Sequence, residues 1–244
     1  VQNLTATANA NDTLVAPDED VEFVGEYGGN TTNVDVTWDY DTSDGSTQDA
    51  TTKNATGSYP SAGTYNASFT VSDGQGNTAT DNVTITVQAL GANASATPQT
   101  VAPGETVDFT GEAVNNTSTV SYEWTFDDGS NVDTQQNTTH NYSDAGTYNA
   151  TVTVTDEEGN TASENVTIDV VALDVNATAN DTTVMPGEGV QFNSTASNAT
   201  TAVSYNWTFG DGNGADLQRN TTHTYGSPGE YNATVTATDE NDNT

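Results

Sequence analysis

Cysteine is absent from the 244-residue sequence, and basic residues are nearly absent. Without cysteine, a disulfide framework, a thiolate zinc site and a cysteine nucleophile are all excluded. Lys53 and Arg219 stand against 35 Asp and Glu residues, which gives a formal net charge of −33 at pH 7. So few cations cannot neutralise phosphate groups, and we expect neither nucleic acid nor an anionic membrane surface as a partner. No run approaches the roughly 18 apolar residues of a membrane-spanning helix, so we expect no membrane insertion by these residues.

The excess of acids indicates the solvent in which the chain folds. Like charges at this density oppose a compact state in dilute buffer. At about 1 M salt the screening length falls to about 3 Å, so neighbouring surface acids interact weakly. We therefore expect a protein adapted to strong salt. A disordered acidic tail would contain few aromatic residues, whereas three Trp, ten Tyr and six Phe recur here in a fixed pattern.

An internal repeat sets the domain organisation. Trp38, Trp124 and Trp207 are separated by 86 and 83 residues. Residues Pro17, Pro103 and Pro186 are separated by the same intervals, and Tyr65, Tyr148 and Tyr231 by 83 and 83. One unit of about 85 residues therefore occurs three times. We place three domains at residues 1–88, 89–172 and 173–244.

Within each unit, apolar and polar residues alternate in short runs, which predicts β-strands with one buried face. In the second unit, Tyr122, Trp124 and Phe126 alternate with Glu123 and Thr125. Gly, Asn and Asp divide the runs, as in the turns between antiparallel strands. The sequence therefore predicts an all-β fold, in which two sheets close on a core centred on the Trp of each unit.

Short spacers join the units, and the third unit lacks a segment. About five residues, 88–92 and 171–175, separate the last strand of one unit from the first strand of the next, so we expect a semi-rigid, extended rod. The final-strand segments 82–87 and 165–170 have no counterpart before the sequence ends at Thr244. The third sandwich thus lacks its last strand within this chain. We expect either a continuation of the chain or a strand donated by another copy to complete it.

Three motifs carry a resemblance to a known family. The second unit contains Trp124-Thr125-Phe126-Asp127-Asp128-Gly129, His140-Asn141-Tyr142 and Gly146-Thr147-Tyr148. The third contains Trp207-Thr208-Phe209-Gly210-Asp211-Gly212, His223-Thr224-Tyr225 and Gly229-Glu230-Tyr231. These resemble the hallmark of the polycystic kidney disease (PKD) domain. The first unit departs from it, because two extra residues precede Asp44-Gly45 and Gly57 stands in place of the His.

The resemblance implies immunoglobulin-like β-sandwiches that act in extracellular spacing, adhesion and contact with proteins or carbohydrates. Such domains occur in archaeal surface-layer proteins and as accessory modules of secreted hydrolases. The acid bias is similar to that of the haloarchaeal members. We therefore expect a non-enzymatic glycoprotein of the cell surface, a component of a surface layer, stalk or filament, with neighbouring copies or other surface proteins as partners. The alternative is the non-catalytic spacer of a secreted halophilic hydrolase, and flanking sequence would separate the two.

Twenty of the 28 asparagines begin the N-glycosylation sequon Asn-x-Ser/Thr. A Thr-rich chain forms sequons by chance, but several recur at equivalent positions of the repeats. These are Asn54, Asn137 and Asn220; Asn66, Asn149 and Asn232; and Asn82 with Asn165. The strand alternation places Asn149 on the solvent side. We expect N-linked glycans at several of these eight sites; the alternative is that Asn and Thr only solvate a strand face.

Oxygen-rich turns at residues 73–77, 156–160 and 239–243, which we call the acid turns after the Asp that begins each one, are the candidate metal sites. Oxygen-rich loops can bind Ca²⁺, as some PKD domains do, and the candidate ligands are Asp73, Asp156, Glu158, Asp239 and Asp242. The alternative that we favour is a hairpin, in which Asp accepts hydrogen bonds within the turn and Gly or Asn adopts positive φ. No other cofactor is expected. His140 and His223 each precede a core Tyr by two residues, and we interpret them as packed or hydrogen-bonded side chains.

Overall fold

The computed structural model describes residues 3–29, 33–43 and 48–244. The sequon at Asn30 and the Asp44-Gly45 pair lie outside these ranges. All regular secondary structure in the described residues is β-strand, as the alternating patterns predict.

The first repeat forms two facing sheets. Its strands are β1 (Thr5–Ala10), β2 (Leu14–Val15), β3 (Val21–Gly28), β4 (Asp35–Asp39), β5 (Asn54–Gly57), β6 (Gly63–Ser72) and β7 (Thr78–Val87). One sheet has the order β1-β3-β5 and the other β2-β7-β6-β4. Neighbouring strands are antiparallel except for the short parallel pair of β2 with β7.

The second repeat has the same architecture. Its strands are β8 (Gly91–Thr97), β9 (Thr100–Val101), β10 (Thr106–Val114), β11 (Ser121–Thr125), β12 (Asn137–Asn141), β13 (Gly146–Thr155) and β14 (Thr161–Val170). The sheets have the orders β12-β10-β8 and β11-β13-β14-β9, and β9 is parallel to β14.

The third repeat forms two three-stranded sheets. Its strands are β15 (Asp174–Ala179), β16 (Gly189–Ser197), β17 (Ser204–Thr208), β18 (Ala215–Asp216), β19 (Asn220–Thr224) and β20 (Thr234–Thr238). The sheets have the orders β15-β16-β19 and β18-β17-β20. Residues 173–244, all of which are described, contain no counterpart of β7 and β14.

A Trp lies at the centre of each sandwich, as the sequence pattern predicts. Trp38, Trp124 and Trp207 are fully buried. The Trp124 ring centre on β11 lies 5.3 Å from that of Phe109 on β10 in the opposite sheet. The equivalent distances are 5.1 Å in the first repeat and 5.4 Å in the third. Such tilted aromatic pairs add about 0.5–1.5 kcal/mol to the burial of their area, so they hold the two sheets together.

The two basic residues of the chain occupy one structural position. Lys53 and Arg219 are equivalent to Gln136, and the backbone carbonyl of each accepts a hydrogen bond from the buried indole N–H of its own repeat at 3.2–3.3 Å. The Arg219 side chain donates from Nε to the Ser194 carbonyl at 3.0 Å. Lys53 Nζ lies 5.8 Å from the centre of the Tyr27 ring. Both cations therefore contact groups of the protein itself.

Backbone packing divides the chain into two compact units. The first comprises Val1–Asn93, Glu112–Glu123 and Val152–Glu164, and the second comprises Ala94–Gly111, Trp124–Thr151 and Asn165–Thr244. Each unit thus combines one terminal repeat with part of the middle repeat.

Candidate functional site: aromatic braces, acid turns and sequons

His140 is packed and hydrogen-bonded, as its position before a core Tyr predicts. Its ring stacks on Phe126 with centres 4.0 Å apart, and Tyr142 meets it edge-on at 4.8 Å. Its Nε2 lies 2.7 Å from Asp128 Oδ2. Phe126 and Asp128 follow β11, whereas His140 lies in β12 of the opposite sheet. We call Phe126, Asp128, His140 and Tyr142 the aromatic brace, because they link the loop after β11 to the other sheet.

The third repeat contains the same brace, made by Phe209, Asp211, His223 and Tyr225. His223 stacks on Phe209 at 3.9 Å, and its Nε2 lies 2.8 Å from Asp211 Oδ2. Tyr225 meets His223 edge-on at 4.8 Å. The His and Asp side chains bind each other in both repeats.

The brace keeps both aspartates ionised. Burial raises the pKa of Asp128, but hydrogen bonds from Ser130 and His140 outweigh this effect and lower the pKa to about 2. For Asp211, hydrogen bonds from His223 and Asn213 lower the pKa to about 2. An ionised carboxylate accepts stronger hydrogen bonds than a neutral one, so the brace is strongest when both aspartates are charged.

In the first repeat Gly57 stands at the position of the His, and the Tyr40 ring occupies the space beside it. A Cβ atom added to Gly57 would lie 2.6 Å from the Tyr40 ring, which stacks on Phe23 with centres 4.9 Å apart. The Tyr40 hydroxyl donates to the Thr56 carbonyl at 3.1 Å. Tyr59, which is equivalent to Tyr142, donates its hydroxyl to the Tyr40 carbonyl at 2.9 Å. Glycine at position 57 is thus required by the approach of the Tyr40 ring.

The acid turns at 73–77 and 156–160 are hairpin turns stabilised by their first Asp, as in the alternative that we favoured. The turn at 239–243 has the same hydrogen bonds after β20, but no strand of residues 173–244 follows it. Asp73 Oδ1 accepts the backbone N–H groups of Gln75 and Asn77 at 2.9 Å, and Oδ2 accepts Asn77 Nδ2 at 2.8 Å. The side-chain hydrogen bond from Asn77 is the main cause of the lowered pKa of Asp73. Gly76 completes the turn with φ 86°. The same side-chain pairing joins Asp156 to Asn160 and Asp239 to Asn243 in the other two turns.

The hydrogen bonds of these turns favour the alternative to a metal site, and calcium binding stays a prediction. Ca²⁺ requires about six to eight oxygen ligands, but the first Asp of each turn uses its oxygens to accept N–H groups. Glu158 Oε2 accepts a hydrogen bond from Ser118 Oγ at 2.9 Å instead. Nowhere in residues 3–29, 33–43 and 48–244 do three or more Asp, Glu, His or Cys side chains form a group that could hold a metal ion.

The acid turn of the second repeat contacts the first repeat, and both lie in the first compact unit. Asn160 Nδ2 donates to the Pro17 carbonyl at 3.0 Å. Glu19 Oε2 accepts a hydrogen bond from Thr117 Oγ1 at 2.9 Å. One turn of the first repeat, Ala16–Glu19, therefore receives hydrogen bonds from the second repeat.

The same contact recurs between the second and third repeats, within the second compact unit. Asn243 Nδ2 donates to the Pro103 carbonyl at 3.0 Å. Glu105 Oε1 accepts hydrogen bonds from Thr200 Oγ1 at 2.9 Å and from Asn241 Nδ2 at 3.1 Å. We call residues 16–19, 102–105 and 185–188 the acceptor turns.

Sequence reasoning missed the junction contacts, although a signal was present. Each unit carries the pattern Pro-x-Glu at equivalent positions, and an Asn ends each acid turn. We used the Pro residues only to establish the register of the repeats. A repeated acceptor turn together with a repeated amide donor is the pattern that indicates a junction between neighbouring units.

The predicted glycosylation sites lie mostly on exposed strand positions. Asn54, Asn82, Asn137, Asn149, Asn165, Asn220 and Asn232 are exposed, whereas Asn66 is half-buried in β6. Asn149 is on the solvent side of β13, where its Oδ1 accepts the Thr167 hydroxyl at 2.9 Å. These positions can accept a bulky group, and their glycosylation stays a prediction.

Other sequons use their amide nitrogen within the fold. Asn141 Nδ2 donates to the Gly104 carbonyl at 2.8 Å, and Asn198 Nδ2 donates to the Ala172 carbonyl at 3.2 Å. A glycan is attached through this same nitrogen. The structure therefore separates sequons that the sequence motif alone treats alike.

The chain is a tandem immunoglobulin-like sandwich protein, because a pair of β-sheets around one buried Trp recurs along it. Two family models of the PKD domain match the chain, one at residues 3–87 and the other at residues 92–171 and 174–244. The chain belongs to the PKD domain family. Tandem PKD domains are typical of extracellular proteins, in which they are structural or carbohydrate-binding modules. The described part of the chain contains no helix long and apolar enough to cross a membrane.

Two solved structures are among those similar to this chain. The three N-terminal domains of the highly immunogenic outer capsid protein (Hoc) of bacteriophage RB49 match with a TM-score of 0.51 and 16% identity, covering 95% of this chain and 82% of that one. At this identity the similarity concerns the fold alone. The PKD1 domain of the Vibrio cholerae metalloprotease PrtV is 28% identical over 34% of this chain and 98% of that one, with a TM-score of 0.30.

Proposed function

We propose that this chain is a structural, non-catalytic part of a cell-surface glycoprotein of a halophilic archaeon. Its repeats act as spacers that display glycans and contact neighbouring surface proteins in a surface layer, stalk or filament. The observation that carries this proposal is the recurrence of exposed sequons, in register, on three consecutive PKD domains.

The junction contacts support a spacer role. Both junctions use the same pairing, an Asn side-chain amide donating to a Pro carbonyl at 3.0 Å. Recurrence of the same contact at both junctions is the nearest-neighbour pairing typical of repeat arrays, in which a spacer is built from like units. The family motif supports the same role, because its His and Asp side chains link the two sheets of the second and third sandwiches.

The charge of the chain supports a halophilic origin. A net charge of −33 on 244 residues cannot be balanced by the two basic side chains. In strong salt, ions of the solvent screen this charge over about 3 Å, and the acids keep the surface hydrated and repel other copies only at short range.

Glycosylation is tested by peptide mass spectrometry of material purified from the native organism. We expect hexose-bearing peptides at the exposed sites Asn137 and Asn220. Asn141 is the matched internal control, because it lies only four residues from Asn137 but donates its Nδ2 to the Gly104 carbonyl. We expect Asn141 to be unmodified or much less occupied. If all eight predicted sites were bare, the glycoprotein proposal would be wrong.

Adaptation to salt is tested by circular dichroism between about 3 M and 0.05 M NaCl. We expect the β signal to be lost as the salt is diluted, because the screening length grows past the spacing of the surface acids. The control is dilution of the protein in buffer of constant ionic strength. A β signal that is unchanged at the lowest salt would refute the halophilic proposal and leave the spacer role untouched.

A further inference from the structure

The strand β12 lies at the edge of its sheet, and the register shows which of its backbone groups face outward. Among the strands of the described residues, β12 pairs with β10 alone, in the order β12-β10-β8. The Gly111 N–H donates to the Gln136 carbonyl at 3.0 Å, just before β12 begins. Inward-facing and outward-facing residues alternate along each strand of an antiparallel pair. The backbone groups that face away from β10 are therefore those of Asn137, Thr139 and Asn141.

The strand β19 of the third repeat has the same edge. Its register on β16 matches that of β12 on β10, with the brace His opposite a core Val in both pairs. The outward residues of β19 are therefore Asn220, Thr222 and Thr224. All six outward residues of the two strands are exposed. We call the outer edges of β12 and β19 the open edges.

In the first repeat the equivalent edge, that of β5, is capped by side chains. The Asn54 carbonyl accepts the Thr52 hydroxyl at 2.7 Å, and the Thr56 carbonyl accepts the Tyr40 hydroxyl at 3.1 Å. The positions of Thr52 and Tyr40 are occupied in the other two repeats by Gln135 and Phe126, and by Gln218 and Phe209. None of these four side chains carries a hydroxyl group. The open edges therefore lack both caps of the first repeat.

The open edges also lack the residues that commonly protect a strand edge. Natural sheets protect their edges with Lys and other charged residues or with Pro. Residues 137–141 and 220–224 contain no Asp, Glu, Lys, Arg or Pro. The edge strands β4, β11 and β15, by contrast, each carry at least one acid. In strong salt a charge protects an edge only weakly, since it is screened within about 3 Å.

The same strand of a second copy fits an open edge. When β12 lies antiparallel to β12 with Thr139 opposite Thr139, Asn137 lies opposite Asn141, so outward residues meet outward residues. Each opposed pair of this kind exchanges two backbone hydrogen bonds. Neither strand brings a carboxylate of its own to the contact, although the whole chain has a net charge of −33. A contact between two identical surfaces is isologous, so it closes as a pair.

We propose that an open edge pairs with the same edge of a second copy by strand addition, and that a glycan on Asn137 or Asn220 blocks this pairing. Asn137 and Asn220 are the first residues of β12 and β19. Opposed side chains of an antiparallel pair have Cβ atoms about 4.5–5.5 Å apart. A hexose on Asn137 therefore takes the space that Asn141 of the second copy needs. The block rests on the proposed glycosylation, whereas the pairing of the bare edges does not.

Cross-linking of the unglycosylated 244-residue chain tests the geometry, since its sequence has no cysteine. A Thr139→Cys protein in about 3 M NaCl is treated with a short bismaleimide. We expect dimers joined through residue 139, because the two Cα atoms lie about 5.5 Å apart in the pair. Thr110→Cys is the matched control, on an exposed position of β10 one strand away from the edge. Two such residues are separated by three strand spacings, about 14 Å, so the control should give only background.

Sedimentation velocity in the same salt measures the strength of the pairing. The double variant Thr139→Pro and Thr222→Pro removes an outward N–H from each open edge and no hydrogen bond inside the sheets. We expect its association constant to fall at least about tenfold. The double variant Thr139→Val and Thr222→Val keeps both N–H groups and should associate like the original chain. Circular dichroism of both variants checks that the sandwiches are intact.

The block is tested with a hexose attached through a maleimide. Labelled Asn137→Cys with Asn220→Cys should be monomeric under conditions in which the unlabelled protein associates. Labelled Asn149→Cys with Asn232→Cys is the control, because these exposed sequon positions lie outside the open edges. Association of both labelled proteins would overturn the block and leave the pairing in place.

Two results would overturn the pairing itself. One is a monomer at every concentration of the unglycosylated chain, and the other is association without the 139–139 cross-link. Bare sequons in native material would instead contradict the proposed glycosylation, and the pairing of the open edges would still stand.

Discussion

The second and third repeats carry the same motifs, yet only the second contains a final strand. β13, which lies beside β14, is ten residues long, whereas its counterpart β20 is five residues long. Ala150 of β13 is fully buried, but the equivalent Ala233 is only half-buried. Ala102, next to the short strand that pairs with β14, is 1% exposed, and its equivalent Met185 is 72% exposed.

The core and brace are nevertheless the same in both repeats. Trp207 is as fully buried as Trp124, and the His223 to Asp211 distance matches that of the second repeat within 0.1 Å. An open groove of about 680 Å³, lined in part by Val184, Val190 and Tyr231, lies on the side where β14 would have its counterpart. The comparison teaches that burial of the Trp requires only the strands that both repeats contain. The last strand lengthens the strand beside it and covers one side of the sandwich.

Adding a final strand to the third repeat should change its stability more than any of the substitutions proposed below. We expect that extending the chain after Thr244 by Ala-Ser-Glu-Asn-Val-Thr-Ile-Asp-Val, the sequence of residues 162–170, stabilises the third repeat by less than about 4.5–9 kcal/mol, because the cost of ordering the new strand offsets part of the gain from burial. The reason is that Val166, Ile168 and Val170 are buried in the second repeat, and each buried aliphatic side chain contributes about 1.5–3 kcal/mol. Denaturant unfolding in strong salt measures the gain, and amide exchange should slow in Thr234–Thr238.

The control for this extension replaces its three aliphatic residues with Thr. That version keeps the length and the backbone donors but removes the buried apolar groups, so it should give little or no gain. Equal stability of the original and extended chains would mean that β14 does not organise its sandwich as the comparison indicates.

A smaller effect concerns the Tyr that ends each brace. Within the described residues the Tyr142 hydroxyl is buried without a hydrogen-bond partner, whereas the Tyr225 hydroxyl donates to the Phe209 carbonyl at 3.2 Å. An unpaired buried hydroxyl destabilises the fold, and a paired one contributes about 1 kcal/mol. We therefore expect Tyr225→Phe to destabilise the third repeat by about 1 kcal/mol and Tyr142→Phe to be neutral or stabilising. Thermal unfolding of the two variants, measured in parallel, tests this difference. Equal losses of stability in Tyr225→Phe and Tyr142→Phe would contradict the prediction.

The smallest expected effect is on acid stability, where the second and third repeats should behave alike. The folded-state pKa of about 2 for Asp128 and Asp211 lies below the ordinary value of 3.8. Each carboxylate therefore contributes stability that is fully present above about pH 4 and is lost as the pH falls through about 2. Asp128→Asn and Asp211→Asn should flatten this loss in unfolding curves measured between pH 5 and 2. Asp20→Asn, at an exposed position of the first repeat, should leave the curve unchanged.

Much of the fold could be predicted because its determinants are local and periodic. The register of Trp38, Trp124 and Trp207 and the alternation around each of them predict the buried strand faces. The hairpin at Asp73 was predictable from turn chemistry, since the hydrogen bonds involved span at most four residues. These features depend on residues that are close in the sequence.

The remaining features depend on contacts between distant residues. The bond from Asn160 to Pro17 spans 143 positions, and no periodicity within one unit indicates it. The stacking of Tyr40 on Phe23 explains Gly57 only after both strands are placed. Likewise, the sequon motif does not distinguish Asn137 from Asn141, because the difference lies in a carbonyl 37 residues away from Asn141.

The placement of Lys53 and Arg219 has a consequence for the ions around the protein. Since both cationic side chains contact the protein's own groups, the 35 carboxylates draw their counterions from the medium. Electroneutrality then requires an atmosphere equivalent to 33 monovalent cations for every chain at neutral pH. In the proposed surface array, such chains would form a cation-exchange gel, with an osmotic pressure that would swell it in dilute salt and contract it in concentrated salt.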